Sequence, residues 1–462
     1  MKVRIIQFFI VIRESYWFLP LLMTSSAFVL SIATVMLDLW LDPKTVEPWV
    51  WPYANSPDAA RALLGTIAGS MITVAGVAYA ITISAVAYAA SQHGPRLLSN
   101  FMRDRANQFS LGVFLATFMY CLMVMRTVQS AFAGDDHTFV PHISVLVAML
   151  LTMGSIGALI FYIHHIPESI HVSRVAAGIG HDLLRKIDFL YPEAIGDAVL
   201  PHDRQVTEEK IDAMRATGTP IVAAGVGYLQ ALDGSGLLSF ASRQEAVIFL
   251  PLRPGDFVYP GCTLAYIDTR SELPDWTEGH LRDMFVFGPT RTQSQDPDFL
   301  VDQLVDMSAR ALSPGQNDPF TAMTCIEWLG AALRKLADRA EPCRERADRA
   351  GQLRVVTMPS GFGFFANQIF QQLRPYVSTD TNAGVRTMEV LADVANHVQI
   401  DERRIVLERH GALLVEACTK NGWDAHDLNR LQSALAGIRP LAHLPADAFP
   451  KQESRDSAKR IQ

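Results

Sequence analysis

The stretch ALLGTIAGSMITVAGVAYAITISAVAYAASQ, residues 62–92, runs through 31 positions without one Asp, Glu, Lys or Arg. As a helix rising about 1.5 Å per residue it is about 46 Å long, against about 30 Å of bilayer hydrocarbon. The stretch predicts a spanning helix that either tilts strongly or runs out of the bilayer toward Gln92, His93 and the Gly94-Pro95 break. Its small, polar close at Ala89, Ala90, Ser91 and Gln92 favours the second. Three more apolar stretches, Ser15 to Leu37, Ala106 to Met125 and Thr138 to Ile163, are each long enough to cross once.

The first of these follows Lys2, Arg4 and Arg13 but is too long for a signal peptide and lacks a small-residue cleavage site, which predicts a retained anchor. Val3, Ile5, Ile6, Phe8, Phe9 and Ile10 predict an interfacial segment leading into Tyr16-Trp17. The amino terminus and the loop carrying Arg96, Arg103 and Arg105 are basic, whereas the opposite loops carry Asp42, Glu47, Asp58, Asp135 and Asp136. This asymmetry predicts both termini in the cytoplasm.

Roughly 300 residues follow Ile166, enough for one or two folded domains. The net charge of −7 gives no sign of nucleic-acid binding, and the five cysteines lack C-x-x-C spacing, so neither disulfides nor zinc are expected. The expected organisation is a four-helix membrane domain over 1–166, a connector helix over 167–200, a small β-barrel-like module over 201–275, a helical cytosolic domain over 276–449 and a disordered tail over 450–462. The connector rests on apolar residues at 172, 175, 179, 183, 187 and 190, a helical period that reads as packing on the domain below or as a stalk. The β module rests on LRPGDFVYPGCTLAYID at 252–268, whose strand-turn rhythm is similar to half of a biotinyl or lipoyl domain but lacks a carrier lysine. Downstream helices are expected at Asp298 to Leu312, Pro319 to Leu336, Phe362 to Leu373, Ala383 to His397, Glu402 to Thr419 and Asp427 to Leu435, with one strand at Leu353 to Met358.

Helix two carries a face of small residues: Gly65, Gly69, Thr73, Gly76, Ala80, Ser84, Ala87 and Ser91. Such a face predicts tight packing on another helix or, where several copies meet, the lining of a narrow pathway. His93, Arg96, Arg103 and Arg105 would form the inner mouth, attracting anions or anionic lipid. Asp38, Arg61 and Arg126 read as interfacial residues reaching for headgroups. His164, His165 and His171 read as polar anchors and not as metal ligands.

The densest polar stretch, FGPTRTQSQDPDFLVDQLVDMSARALSPGQNDPFTA, contains two helix starts, Asp296-Pro297 and Asp318-Pro319. Beyond the caps, Arg291, Thr292, Gln295, Arg310 and Asn317 are candidates to bind an anion, a small ligand or a partner, with Asp296 and Asp318 beside them. No catalytic residue, metal or cofactor is assigned: no P-loop, no nucleophile triad and no two Glu-x-x-His motifs are present, and the sequence leans away from an enzyme.

GTIAGSMITVAGVAYAITISAVAYAASQHGPRLLSNFMRDRANQ in the membrane part, with RTQSQDPDFLVDQLVDMSARALSPGQNDPFTA downstream, resembles the bacterial predicted-membrane-protein family known as domain of unknown function twenty-two fifty-four. The resemblance covers roughly Ser15 to Leu435. It implies a multi-pass protein of the bacterial inner membrane and carries no activity. Two functional readings follow. One is a homo-oligomeric, channel-like conduit around helix two with a cytosolic vestibule or gate. The other is a membrane-anchored sensor or scaffold whose site is Arg291 to Thr321.

Overall fold

The structure is a computed structural model that describes residues 15–40, 56–93, 104–129, 139–191, 207–269, 274 and 276–438. The expected interfacial segment before residue 15, Arg96 and Arg103 of the inner mouth, and the tail after residue 449 lie outside these residues.

Among the described residues, four helices are long and apolar enough to cross a membrane. They are α1 (Phe18–Trp40), α2 (Pro57–His93), α3 (Arg105–Thr127) and α4 (His142–Ile170). At 37 residues α2 is about 55 Å long, well beyond the roughly 30 Å of bilayer hydrocarbon. It begins five residues ahead of the uncharged run because Ser56 Oγ accepts from the Ala59 amide (3.1 Å) and Asp58 suits the positive end of the helix.

The bundle core combines apolar packing with layers of paired polar groups. Near one end Thr34 Oγ1 lies 2.8 Å from the Tyr120 hydroxyl, which donates to the Ser144 carbonyl (3.1 Å). Thr117 and Ser155 pair at 2.9 Å farther along. Toward the other end Thr82 joins Asn107 (3.2 Å) and Tyr162 (2.9 Å). Asp38 accepts from the Ile143 amide (2.8 Å), the Ser144 amide (2.9 Å) and the Ser144 hydroxyl (2.6 Å), so α1 caps the start of α4. Arg61 donates to the Val128 carbonyl (2.7 Å). Two of the three charges read as headgroup anchors, Asp38 and Arg61, thus bind backbone of their own bundle.

Helix α4 ends at His171, and α5 (Val172–Leu190) continues from it. Helix α5 buries Ala176, Ile179, Gly180, Leu183 and Ile187 in one core with α9 (Asp298–Ala311), α10 (Pro319–Ala337), α11 (Phe362–Val377), α12 (Thr381–His397), α13 (Asp401–Lys420) and α14 (Ala425–Ala436). At Gly180 a side chain would meet the Trp328 ring at 2.4 Å, so glycine sets how closely α5 approaches α10. Both expected helix starts occur: Asp318 Oδ1 accepts from the Thr321 amide (3.1 Å) and Asp296 Oδ1 from the Phe299 amide (3.1 Å).

Between α5 and α9 the chain forms α6 (Glu208–Thr217), β1 (Thr219–Val222), β2 (Gly227–Leu232), α7 (Gly234–Arg243), β3 (Val247–Phe249), β4 (Phe257–Val258), β5 (Thr263–Asp268), α8 (Thr277–Arg282) and β6 (Phe285–Gly288). Among the described residues the strands make two open sheets and no barrel, which corrects the barrel-like expectation. One sheet is ordered β4-β2-β6. The other is ordered β1-β5-β3-β8-β7, where β7 is Glu345–Ala347 and β8 is Leu353–Val356. Strands β3 and β8 pair in parallel, Ile248 with Val355 and Phe249 with Val356, so a strand from the helical half completes the sheet. Helix α7 packs on β3 and β8, burying Leu237, Phe240 and Ala241.

Candidate functional site

A cleft of about 200 Å³ lies where the sheets meet the helical core. Leu190, Leu232, Leu250, Leu252 and Met358 with prolines 254, 297, 342 and 359 supply apolar walls; Tyr191, Arg253, Gln295, Asp298, Thr357 and Ser360 supply the polar groups.

The sequence places these groups by local rules. The Arg253-Pro254-Gly255-Asp256 turn is closed by Asp256, whose Oδ2 accepts from the Arg253 amide (2.8 Å), and by the Gly255 amide donating to the Leu229 carbonyl (2.7 Å). Gly255 has φ +99°, a conformation that favours glycine, and a Cβ there would meet Asp296 Oδ2 at 2.4 Å. The turn therefore presses on an ion pair. Arg291 Nε and Nη2 grip Asp296 Oδ2 (2.7 Å) and Oδ1 (2.9 Å), and Arg291 Nη1 donates to Asp302. Gln368 donates to Asp302 Oδ1 (2.7 Å), and Asp296 is 1% exposed. We expect Gly255→Ala to destabilise the downstream region by about 1–3 kcal/mol, from φ strain and displacement of Asp296, read by urea denaturation.

Asp298 opens α9 beside this pair. It is 8% exposed; its Oδ2 accepts from the Ser360 hydroxyl (3.0 Å), while Oδ1 has no hydrogen-bond partner. Burial, reinforced by the Asp296 charge, pushes its carboxyl up to about 7. Ser360 Oγ also accepts from Arg253 Nη1 (3.2 Å), and the Ser360 carbonyl accepts from the Tyr191 hydroxyl (2.7 Å). The Arg253 guanidinium stacks over Phe364 at 4.1 Å.

The residues anticipated in the polar stretch fall at two places. Arg291, Asp296 and Gln295 lie at the α9 start, where Gln295 exchanges both amide bonds with Leu232 (3.0 and 3.3 Å). Thr292 pairs with Ser294 Oγ (3.1 Å). Arg310, Asn317 and Asp318 belong to the far end, about 20 Å away along 14 residues of helix. There Arg310 contacts Asp306 (3.3 Å), Asn317 takes φ +46° in the turn before α10, and Asp318 caps that helix. Tyr191, Arg253, Asp298 and Ser360 were not singled out by sequence. The Asp296-Pro297-Asp298 run and the Pro359-Ser360-Gly361 turn are their only local signals.

In the membrane bundle α2 buries Ala60, Leu64, Ile67, Ala68, Met71, Ala75, Ala78, Thr82, Val86 and Ala89. The small-residue face points elsewhere. Gly65 is half-buried, Gly69, Thr73, Gly76, Ala80, Ser84, Ala87 and Ser91 are exposed, and a Cβ at Gly69 or Gly76 would meet nothing within 4 Å. Of the inner mouth, His93 ends α2 and Arg105 is exposed at the start of α3. Asp104 caps α3 through the Ala106 amide (3.0 Å) and holds His165 Nε2 at 2.7 Å.

Four apolar helices joined to a cleft-bearing region of helices and small sheets define a multi-helix membrane protein. The chain belongs to the family described as predicted membrane protein (DUF2254), whose model matches residues 13–393, from the first membrane helix into α12. It is similar to an uncharacterized protein of Mycobacterium tuberculosis strain CDC 1551, 31% identical over 403 residues covering 86% of this chain and 75% of the relative. An uncharacterized protein of Mycobacterium bovis matches to the same extent, 31% over 403 residues, again 86% and 75% of the two chains. No solved structure matches the chain.

Proposed function

We propose that this protein is a membrane-anchored sensor of the bacterial inner membrane, with both termini in the cytoplasm, whose downstream region takes a small ligand in the cleft at Asp298. The observation that carries the reading is a buried carboxyl group in the wall of the cleft, 8% exposed, with one oxygen unpartnered. Leaving such an acceptor unsatisfied costs stability, and binding sites are where such costs are retained. Helix α9 gives the cleft a route to the membrane. It starts at Asp298, the Ser294 carbonyl four residues earlier accepts from Lys186 near the far end of α5, and it also packs on α2. A ligand that prefers one position of the α9 start would bias the cytosolic end of α2.

The test is native mass spectrometry of the purified protein in mild detergent. A small molecule should co-purify with the wild type and be absent from Leu252→Trp, which fills the cleft. Equal retention by both proteins would remove the cleft from the proposal.

A second reading, the homo-oligomeric conduit, is favoured by the outward small-residue face of α2, which the chain's own described helices leave open. Gly76→Leu should then lower the detergent-corrected mass from an oligomer toward a monomer, or change ion flux in an oligomer that still assembles. A wild-type protein monomeric by light scattering would sink it.

A further inference from the structure

The cleft's polar groups narrow the chemistry of its occupant, an inference that rests on the sensor reading above. Asp298 and Arg253 both bond the same hydroxyl oxygen, Ser360 Oγ, at 3.0 and 3.2 Å, so a carboxyl and a guanidinium sit within two hydrogen-bond lengths of one another. The carboxyl has an acceptor oxygen to spare. The guanidinium has donors to spare, since a planar fork of five N–H groups makes a single side-chain hydrogen bond here, with its face on Phe364. Other nearby charges are committed: Asp296 and Asp302 to Arg291, and Glu341 Oε1 to Arg403 Nη2 (3.0 Å). Gln295 is spent on Leu232 and the Tyr191 hydroxyl on the Ser360 carbonyl. What remains is one acceptor and one cationic donor set, side by side, beside leucine, methionine and proline walls.

We propose that the cleft binds a small zwitterion with an apolar body, the chemistry of a free aliphatic α-amino acid. Its ammonium group lies on Asp298, its carboxylate on Arg253 and its side chain against Leu232, Leu252 and Met358. A lone amine would meet the Arg253 charge and a lone carboxylate the Asp298 charge. A ligand carrying both charges on one carbon satisfies both at the separation Ser360 sets. Ser360 keeps its own two bonds and acts as a positioning residue.

The experiment is calorimetric titration of the full-length protein in nanodiscs with L-leucine, N-acetyl-L-leucine, L-leucinamide and glycine. Leucine should bind, and each of the other three should bind at least about tenfold more weakly, having lost the ammonium, the carboxylate or the apolar body. Asp298→Asn should weaken leucine by a similar factor without further weakening N-acetyl-leucine. Arg253→Gln should weaken leucine without further weakening leucinamide. A protein that merely misfolds would lose every probe in parallel, so this crossed pattern separates recognition from structural damage. Circular dichroism and an unchanged detergent-exchange profile check each variant's fold.

Leucinamide or N-acetyl-leucine binding as tightly as leucine would overturn the zwitterion while leaving the cleft reading intact. No binding by any probe up to millimolar concentration would overturn the inference too. The sensor reading would then stand or fall separately on whether Leu252→Trp loses its co-purifying molecule.

Discussion

Replacing Arg291 by methionine is expected to destabilise the downstream region by about 3–5 kcal/mol, the cost of stranding buried carboxylates whose counter-charge has gone. Asp296 is 1% exposed and depends on Arg291 for two hydrogen bonds, and Asp302 shares the same guanidinium. The double variant Arg291→Met with Asp296→Asn should recover a large part of the loss, because the amide needs no counter-ion. Arg291→Lys should recover little, since an ammonium group cannot reproduce the two-pronged grip. Urea denaturation of the solubilised protein, followed by tryptophan fluorescence, reads all three. If Arg291→Met unfolds at the wild-type midpoint, the pair does not hold the turn at Gly255 against α9.

The second large effect runs the other way and depends on pH. Asp298 has a folded-state pKa of about 7 against an ordinary 3.8, so folding favours its protonated form. A carboxyl shifted upward contributes fully to stability below pH 3.8, and that contribution drains away as pH rises through 7. Asp298→Asn removes the ionisation. The variant should match the wild type near pH 4, gain steadily between pH 4 and 7, and above pH 7 exceed it by on the order of 4 kcal/mol. The measurement is the same urea midpoint across that range. Equal pH dependence in variant and wild type would show that burial of Asp298 carries no such cost.

His410 works with the opposite sign. It is 3% exposed, its Nε2 lies 2.8 Å from Asn367 Oδ1, and burial next to Arg374 and Arg409 lowers its pKa from 6.5 to about 4. Its contribution is present above pH 6.5 and declines as pH falls through 4. The stability of the downstream region is therefore squeezed from both sides, by His410 in acid and by Asp298 in base.

The helical architecture was legible because its signals are local. A charge-free run, a 3.6-residue period in α5 and two Asp-Pro starts each act within a few turns of chain. The downstream helix α9 was anticipated as Asp298 to Leu312 and occurs as Asp298–Ala311. The sheet closure was not legible. Strands of two to six residues carry little pattern, and whether β4 and β2 join β5 in one barrel or lie in a separate sheet depends on pairings between strands far apart in the chain. The cleft was illegible for a related reason. Arg253, Asp298 and Ser360 come from three separated segments, and each looks locally like a turn or cap residue. Arg291 drew attention as a surplus cation, yet its partners lie 5 and 11 residues on, at spacings that mean nothing until α9 folds.

The cap that Asp38 places on α4 also bears on how the protein is made. The first helix ends in a carboxylate whose partners, the Ile143 and Ser144 amides, lie 105 and 106 residues later in the chain. At translation rates of about 5–20 residues per second, α1 waits roughly 5–20 s before that partner exists. Through that interval Asp38 must stay with water or headgroups. The bundle is thus locked by its last helix, and a ribosome stalled between α3 and α4 would leave a membrane intermediate with its first helix untied.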